Sequence, residues 1–337
     1  MEKEKRKMEY DKIMEMYEQP WRRYHTKKHL RSMRELYNYS LYRDRLNETV
    51  FHYACDFHDC VYEPFAKDNE EKSNEVWLKY AKDNGIDGKT VEMVSRLIMS
   101  TKHPEDCKTE EEIVFRNIDW NDMGVVHEID EYYSAWLTEY EDGIFREFQK
   151  VPVEDYVRGR TDFIKRSVAL KLMTKEVAQY LLPLINRKKT VGIYAGSFNP
   201  FHVGHLNILK KAEQMFDKVI VARGVNPEKK DNKVYGDVAD FLPHHQVDKY
   251  DCQLVDYVNS KRSEYVQPVL IRGLRNGYDL NQEVNLISFV NAQADDRGIE
   301  RIPIMYIHCD KEYEHVSSSA VRMLEENDAK RYIPEIQ

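Results

Sequence analysis

Up to about residue 187, apolar positions recur at intervals of three and four. Segments 74–83, 88–99, 126–139 and 155–173 each carry such a stripe, which predicts amphipathic helices. Short β-rich runs are missing there. After Lys188 the rhythm changes. Thr190–Ala195, Lys218–Ala222, Val269–Arg272 and Ile302–Ile307 are short, nearly unbroken apolar runs, the pattern of strands buried on both faces. Helical stretches, His205–Phe216 and Glu283–Ala294 among them, separate these runs. Alternation of strand and helix predicts a parallel sheet covered on both sides, an α/β Rossmann-like architecture. The pattern therefore divides the chain into an all-α domain over 1–187 and an α/β domain over 188–337, joined at Arg187-Lys188-Lys189 without a Gly/Ser/Pro-rich linker.

Composition narrows the picture. The 337 residues are 42% apolar and 33% charged with a net charge of −8, and acids and bases are interleaved. That balance suits folded domains rather than a disordered tail, and it provides no basic stripe for tracking a nucleic-acid backbone. Five cysteines are scattered and never form a CxxC pair, which argues for a reducing compartment and against a disulfide framework or a thiolate zinc site. The opening MEKEKRKMEYDK has no apolar core of a signal peptide, and no apolar run approaches the roughly 20 residues of a membrane helix. The expectation is a soluble, cytoplasmic protein whose partners are small molecules, not nucleic acid or membrane.

The first apolar run after the domain boundary leads directly into Gly196-Ser197-Phe198-Asn199-Pro200-Phe201-His202-Val203-Gly204-His205, with a helix expected from Leu206. A glycine-bearing turn between a buried strand and a helix N-terminus gathers free backbone N–H groups at the positive end of the helix dipole, where such sheets bind phosphate. The Lys-Ser/Thr of a P-loop and the spacing of the dinucleotide fingerprint are both absent. Two histidines around a glycine can instead donate hydrogen bonds to phosphate oxygens as charge builds in a transition state. Gly204, without a side chain, lets a nucleotide lie against the backbone.

This segment resembles the HxGH-type nucleotidyltransferases, and within them the phosphopantetheine adenylyltransferases. The likeness extends to the lysine-bearing loop Gly224–Lys230, to Ile271-Arg272-Gly273-Leu274-Arg275 with Asp279 and Glu283, and to His315–Arg322. It implies transfer of AMP from ATP, with Mg²⁺ on its phosphates, to 4'-phosphopantetheine, giving dephospho-CoA and pyrophosphate. It implies catalytic roles for His205, His202, Lys229 and Arg272. Contacts to ATP would come from Gly196, Ser197, Phe198, His202, Gly204, His205, Arg275, Glu283, Ser317, Ser318 and Ser319, and contacts to the acceptor phosphate from Ser197, Lys229 and Arg272. It also implies a homo-oligomer. Residues 231–243 lack the Thr-Glu-Arg helix of the family, and Arg322 also suits nicotinamide mononucleotide, which keeps that second acceptor open.

The helical half concentrates histidine and aspartate. His25 and His29 are four apart, hence on one helix face; His58-Asp59 follows the apolar Tyr53-Ala54-Cys55; Asp119 comes later. Imidazole with carboxylate suits a divalent transition metal that keeps open positions for water and phosphate. Tyr24–His29, Phe57–Tyr62, Asp68–Ser73, Thr101-Lys102-His103 and Asp155–Arg160 resemble the HD-superfamily metal-dependent phosphohydrolases, more narrowly a group known only as predicted hydrolases. The resemblance implies that His29, His58, Asp59 and Asp119 hold Mn²⁺, Fe²⁺ or Zn²⁺, with His25 and His103 behind them or at the substrate phosphate. Asn117 stands where the group has the first of two acids. One reading is thus a bifunctional enzyme; the other is a regulatory or binding protein with one inactive domain.

Overall fold

Most apolar stripes in the N-terminal half become helices, and capping side chains fix the starts of several. In the computed structural model, which describes residues 10–39, 43–225 and 236–336, they are α1 (Lys27–Tyr39), α2 (Glu48–Phe57), α3 (Asn69–Asp83), α4 (Gly88–Ser100), α5 (Glu110–Asp119), α6 (Glu131–Glu147), α7 (Val153–Ala169) and α8 (Lys175–Asn186). Asp87 accepts from Thr90 N to start α4, and Thr109 with Glu112 forms a reciprocal capping box that starts α5. Trp77, Phe51, Phe57 and Phe115 are fully buried and anchor the core of these helices. The helix expected over 126–139 begins only at Glu131. Asp130 Oδ1 accepts from Tyr133 N at 2.7 Å and opens the helix there, while the amides of Val125 and Val126 turn back to Asp122 O.

The chain forms two compact units, Met1–Glu147 with Arg158–Ile185, and Phe148–Val157 with Asn186–Gln337. The second is a five-stranded, all-parallel sheet in the order β3-β2-β1-β4-β5. Its strands are β1 (Lys189–Gly196), β2 (Lys218–Gly224), β3 (Gln246–Tyr250), β4 (Val266–Leu274) and β5 (Ile304–His308). Flanking helices are α9 (Val203–Ala212), α10 (Val238–Phe241), α11 (Leu254–Ser260), α12 (Gly277–Asp296) and α13 (Ser318–Met323). The arrangement is Rossmann-like, and its middle strand β1 ends at Gly196, beside the reversal of strand order where such sheets bind ligands. β3 was absent from the hydrophobic reading because it is a polar edge strand, QVDKY, half-exposed along its length. Gly192 in β1 is required by packing: a Cβ there would stand 2.4 Å from Ile271 Cδ1. Among the described residues no helix is long and apolar enough to cross a membrane.

Candidate functional site

The segment after β1 builds its chemistry from a helix cap. The helix α9 starts at Val203, three residues earlier than the sequence suggested, so His202 is its N-cap and His205 lies in its first turn. The two residues cap each other. His205 N donates to His202 Nδ1 at 3.4 Å, and His202 N donates to His205 Nδ1 at 3.3 Å. A ring nitrogen that accepts carries no proton, so each neutral imidazole keeps its proton on Nε2 and offers that N–H to the cleft. The rings stack at 3.6 Å between centroids, and Phe198 and Phe201 pack against His205. Burial and the nearby Arg275 push His202 down to about 4. Burial, then His202 and Arg275, hold His205 well below its ordinary value. At neutral pH the pair is uncharged and can only donate from Nε2.

Gly204 has a second role beyond leaving room for a ligand. A Cβ there would lie 3.1 Å from His202 Cε1 and Nδ1, tighter than ordinary contact. If His202 acts as the resemblance implies, Gly204→Ala displaces its ring and lowers kcat about tenfold, because small misplacements of such a donor are costly. Steady-state pyrophosphate release together with a melting curve checks this; a large fall in melting temperature at unchanged kcat would contradict it.

A cavity of about 260 Å³ opens over His202, Gly204 and His205, with Arg275, Glu283, Ser317 and Ser318 among its lining. The acids of α12 explain the spacing of the arginine motif. Asp279 and Glu283 lie one helical turn apart, and each clamps one arginine. Arg275 Nε and Nη2 meet Asp279 at 2.8 and 2.9 Å; Arg272 Nε and Nη2 meet Glu283 at 2.5 and 2.8 Å. Arg272 Nη1 also donates to Ala195 O at 2.8 Å, which fixes the guanidinium at the end of β1. Glu283, expected towards ATP, thus lines the cleft while paired with Arg272.

The serines divide. Ser317 caps α13 by accepting from Ala320 N, and Ser318 Oγ donates to Pro200 O at 3.0 Å, strapping α13 to the loop after β1. Ser319 is exposed and accepts from Arg322, whose guanidinium also donates to Asn199 O. Ser319, Gly196, Ser197, Phe198 and Arg272 are not part of the cavity wall. Ser197 is exposed, whereas Phe198 is buried beneath His205 with φ of 45°, so its ring supports the imidazole instead of facing the cleft. Lys229 lies outside the described residues.

In the helical unit His29 comes from α1, His58 from the C-cap of α2, Asp59 from the residue after it, and Asp119 from the last turn of α5. One ligand atom from each lies within 4.8 Å of all the others. Just beyond Asp119 the chain reverses through two left-handed residues, Asn121 and Asp122, types that tolerate positive φ. His58 Nδ1 is 2.9 Å from Cys55 O, which can only accept, so Nδ1 carries a proton. Nε2 then faces Asp59 Oδ2 at 3.1 Å and Asp119 Oδ1 at 3.3 Å, and His29 Nε2 is 3.1 Å from the same Asp119 oxygen.

His58 Nε2 is buried and makes no well-formed hydrogen bond among the described residues. A lone pair facing two carboxylates requires a cation between them, either a proton or a metal ion. The electrostatics say the same: burial opposes the imidazolium, yet Asp59 and Asp119 lift His58 well above its ordinary value. Against burial, His29 and His58 hold Asp119 down at about 2, and His58 keeps Asp59 far below the usual carboxylate range. The donor set fits a divalent transition metal of the nitrogen-and-oxygen kind.

His25 precedes α1 rather than sharing its face with His29, although the two rings stay 6.1 Å apart. His103 is exposed and is not part of the four-residue cluster. Asn117 accepts from Arg116. The residue that sequence reasoning missed is Glu147. It is a carboxylate on the apolar stripe Leu137–Tyr140–Ile144–Glu147 of α6, a signal that could have flagged it, since an acid on a buried face is retained only with partners.

Comparisons with known proteins bear on the C-terminal unit. Residues 193–324 match a family model described as cytidylyltransferase-like. The chain is 30% identical over 149 residues to the phosphopantetheine adenylyltransferase of Rhodopirellula baltica, covering 41% of this chain and 78% of that protein. It is 31% identical over 139 residues to the enzyme of that name from Carboxydothermus hydrogenoformans, covering 39% and 80%. With that of Nautilia profundicola the identity is 33% over 142 residues, covering 40% and 86%.

Proposed function

The chain belongs, through its C-terminal domain, to the phosphopantetheine adenylyltransferase family, and from that we propose that it transfers AMP from ATP to 4'-phosphopantetheine, releasing pyrophosphate. The observation that carries this reading is the pair of neutral imidazoles capping α9, with Nε2–H donors facing the cavity. The acceptor phosphate attacks the α-phosphorus in line and no covalent intermediate forms, so the protein contributes position and charge stabilisation. His205 and His202 donate to the oxygens that gain charge. Arg275, held by Asp279, faces the ATP phosphates. Arg272, held by Glu283 and Ala195 O, points its remaining donors at the acceptor phosphate, aided by Ser197 and Lys229. Ser317 and Ser318 close the β/γ end. Mg²⁺ enters with ATP and spreads charge over its phosphates.

The acceptor is tested by initial rates of pyrophosphate release with ATP and either 4'-phosphopantetheine or nicotinamide mononucleotide. We expect kcat/KM to favour 4'-phosphopantetheine by at least about a hundredfold, the scale of discrimination that ordinary pocket contacts supply. The opposite ranking would remove this acceptor and leave adenylyl transfer standing.

For the N-terminal domain we propose an HD-type phosphohydrolase, with His29, His58, Asp59 and Asp119 holding the metal. Such an ion, when bound, polarises a phosphoryl oxygen and lowers the pKa of water. The chain's own part would be to hold that ion with the two imidazoles and two carboxylates of His29, His58, Asp59 and Asp119. His25 stands at the edge of the cluster, 4.0 Å from Asp59 Oδ2. This reading makes the chain bifunctional.

A further inference from the structure

Glu147 is among the most fully engaged side chains of the helical unit. Its carboxylate is completely buried. Oε1 accepts three consecutive backbone amides, Arg23 N, Tyr24 N and His25 N, at 2.8, 2.8 and 2.9 Å. Oε2 accepts from His25 Nδ1 at 2.6 Å and from Tyr62 Oη at 3.0 Å. A carboxylate has about four acceptor positions, so five donors leave it no spare capacity. The other end of the same turn is held by Arg22, which donates to His25 O at 3.1 Å, Asp59 O at 2.8 Å and Cys60 O at 2.9 Å. The His25 ring is further stacked on Tyr62 at 4.0 Å between centroids.

His25 is therefore fixed through its amide, its carbonyl, its Nδ1 and its ring face. Only Nε2 is left over. It faces Asp59 Oδ2 at 4.0 Å, too far for a hydrogen bond and near enough that one oxygen atom can bridge to the metal cluster. Glu147 thus holds the turn through three backbone amides that would otherwise lack partners, and the same buried carboxylate sets the direction of the His25 ring. A carboxylate that orients an imidazole whose far nitrogen meets a reacting or ligand atom is a recurring device.

We infer that Glu147 and His25 form a carboxylate–imidazole dyad, in which Glu147 is the positioning residue and His25 Nε2, left with its lone pair because Nδ1–H donates to Glu147, accepts a hydrogen bond from the protonated oxygen of a phosphate group held at the metal cluster. The class of ligand is a phosphomonoester or the orthophosphate it releases. The inference rests on the metallohydrolase reading of this domain, and it adds to that reading the anion-binding partner of the metal and the residue that sets its direction.

The test uses the full chain loaded with Mn²⁺ and titrates inorganic phosphate calorimetrically, with Mn²⁺ affinity measured separately. Glu147→Gln is the informative variant. Its amide oxygen can still accept the three backbone amides, while its NH₂ is directed at His25 Nδ1 and reverses the hydrogen bond there. We expect Mn²⁺ affinity within about threefold of the parent and phosphate affinity lower by about tenfold, the lower end of what loss of an orienting partner costs at metal sites. His25→Gln should weaken phosphate to the same degree, and the double variant no further, since the two act as one unit. Phosphate affinity within twofold of the parent in both single variants overturns the dyad. Absence of Mn²⁺ binding by the parent instead overturns the metal site on which it rests. Imidazole ¹⁵N NMR of the metal-free chain gives a readout independent of ligand: the His25 Nδ1–H signal of the Glu147-paired ring should be present in the parent and lost in Glu147→Gln.

Discussion

His205→Ala is expected to lower kcat for pyrophosphate release by roughly 10²–10³, the cost of deleting one preorganised donor at a developing oxyanion. The ring is half-buried, stacked on His202 and Phe201, and its Nδ1 is occupied by the His202 amide, so its Nε2–H is aimed without further reorganisation. His205→Asn keeps a short side chain with an NH₂ donor and should recover part of the loss, which a purely structural role would not predict. Protonation gives the matching pH dependence. The ordinary histidine value is 6.5, and His202 in the folded protein is pushed down to about 4. Between these values the unfolded chain binds more protons than the folded one, so stability rises with pH. The contribution is complete above 6.5 and is lost as pH falls towards 4. Activity should stay level from pH 8 to about 5 if both rings work in the neutral form. A kcat/KM that falls with an apparent value near 6.5 would show that the imidazolium forms in the free enzyme and contradict the neutral-donor mechanism.

How far the sequence disclosed this molecule depended on whether a feature was local. The buried strands and the turn at Gly196–His205 were legible because parallel strands leave unbroken apolar runs and a phosphate-binding turn has a short local signature. The polar edge strand Gln246–Tyr250 was not, since only its hydrogen bonds to β2 make it a strand. The start of α9 at Val203 escaped because imidazoles rarely cap helices, and here two cap one another. The histidines and aspartates of the helical unit stood out by residue type, and the fold draws together four that are separated by up to 90 residues. Glu147 did not stand out, because its partners lie more than 80 residues away and its role consists of five long-range hydrogen bonds. Arg272 and Arg275 lie at the end of β4, where the apolar run Val269–Arg272 points, while their clamps on α12 depended on a helical register that only the fold makes visible.

The last result we expect separates a working metal centre from an ordinary cluster of buried ions. After loading with Mn²⁺ and removal of excess, the parent chain should hold about one ion, and His58→Ala less than about a tenth of one, because one imidazole of a four-ligand set supplies a large share of the binding free energy. His58 is the decisive residue for a physical reason. Among the described residues it alone comes within 4.0 Å of both Asp59 and Asp119, at 3.1 and 3.3 Å, with its other nitrogen committed to Cys55 O. Removing it leaves the Asp59 and Asp119 carboxylates without the imidazole they share. The metal-free variant should therefore be destabilised by about 3–5 kcal/mol, the range for stranding buried charges. Mn²⁺ should raise the melting temperature of the parent, since a ligand that binds only the folded state stabilises it, and should leave His58→Ala unmoved. A purely structural ion network predicts the same destabilisation with no metal and no Mn²⁺-dependent shift in the parent. The two accounts therefore part on the metal content of the parent protein, and a value near zero there would remove the phosphohydrolase from this chain while leaving its adenylyl transfer in place.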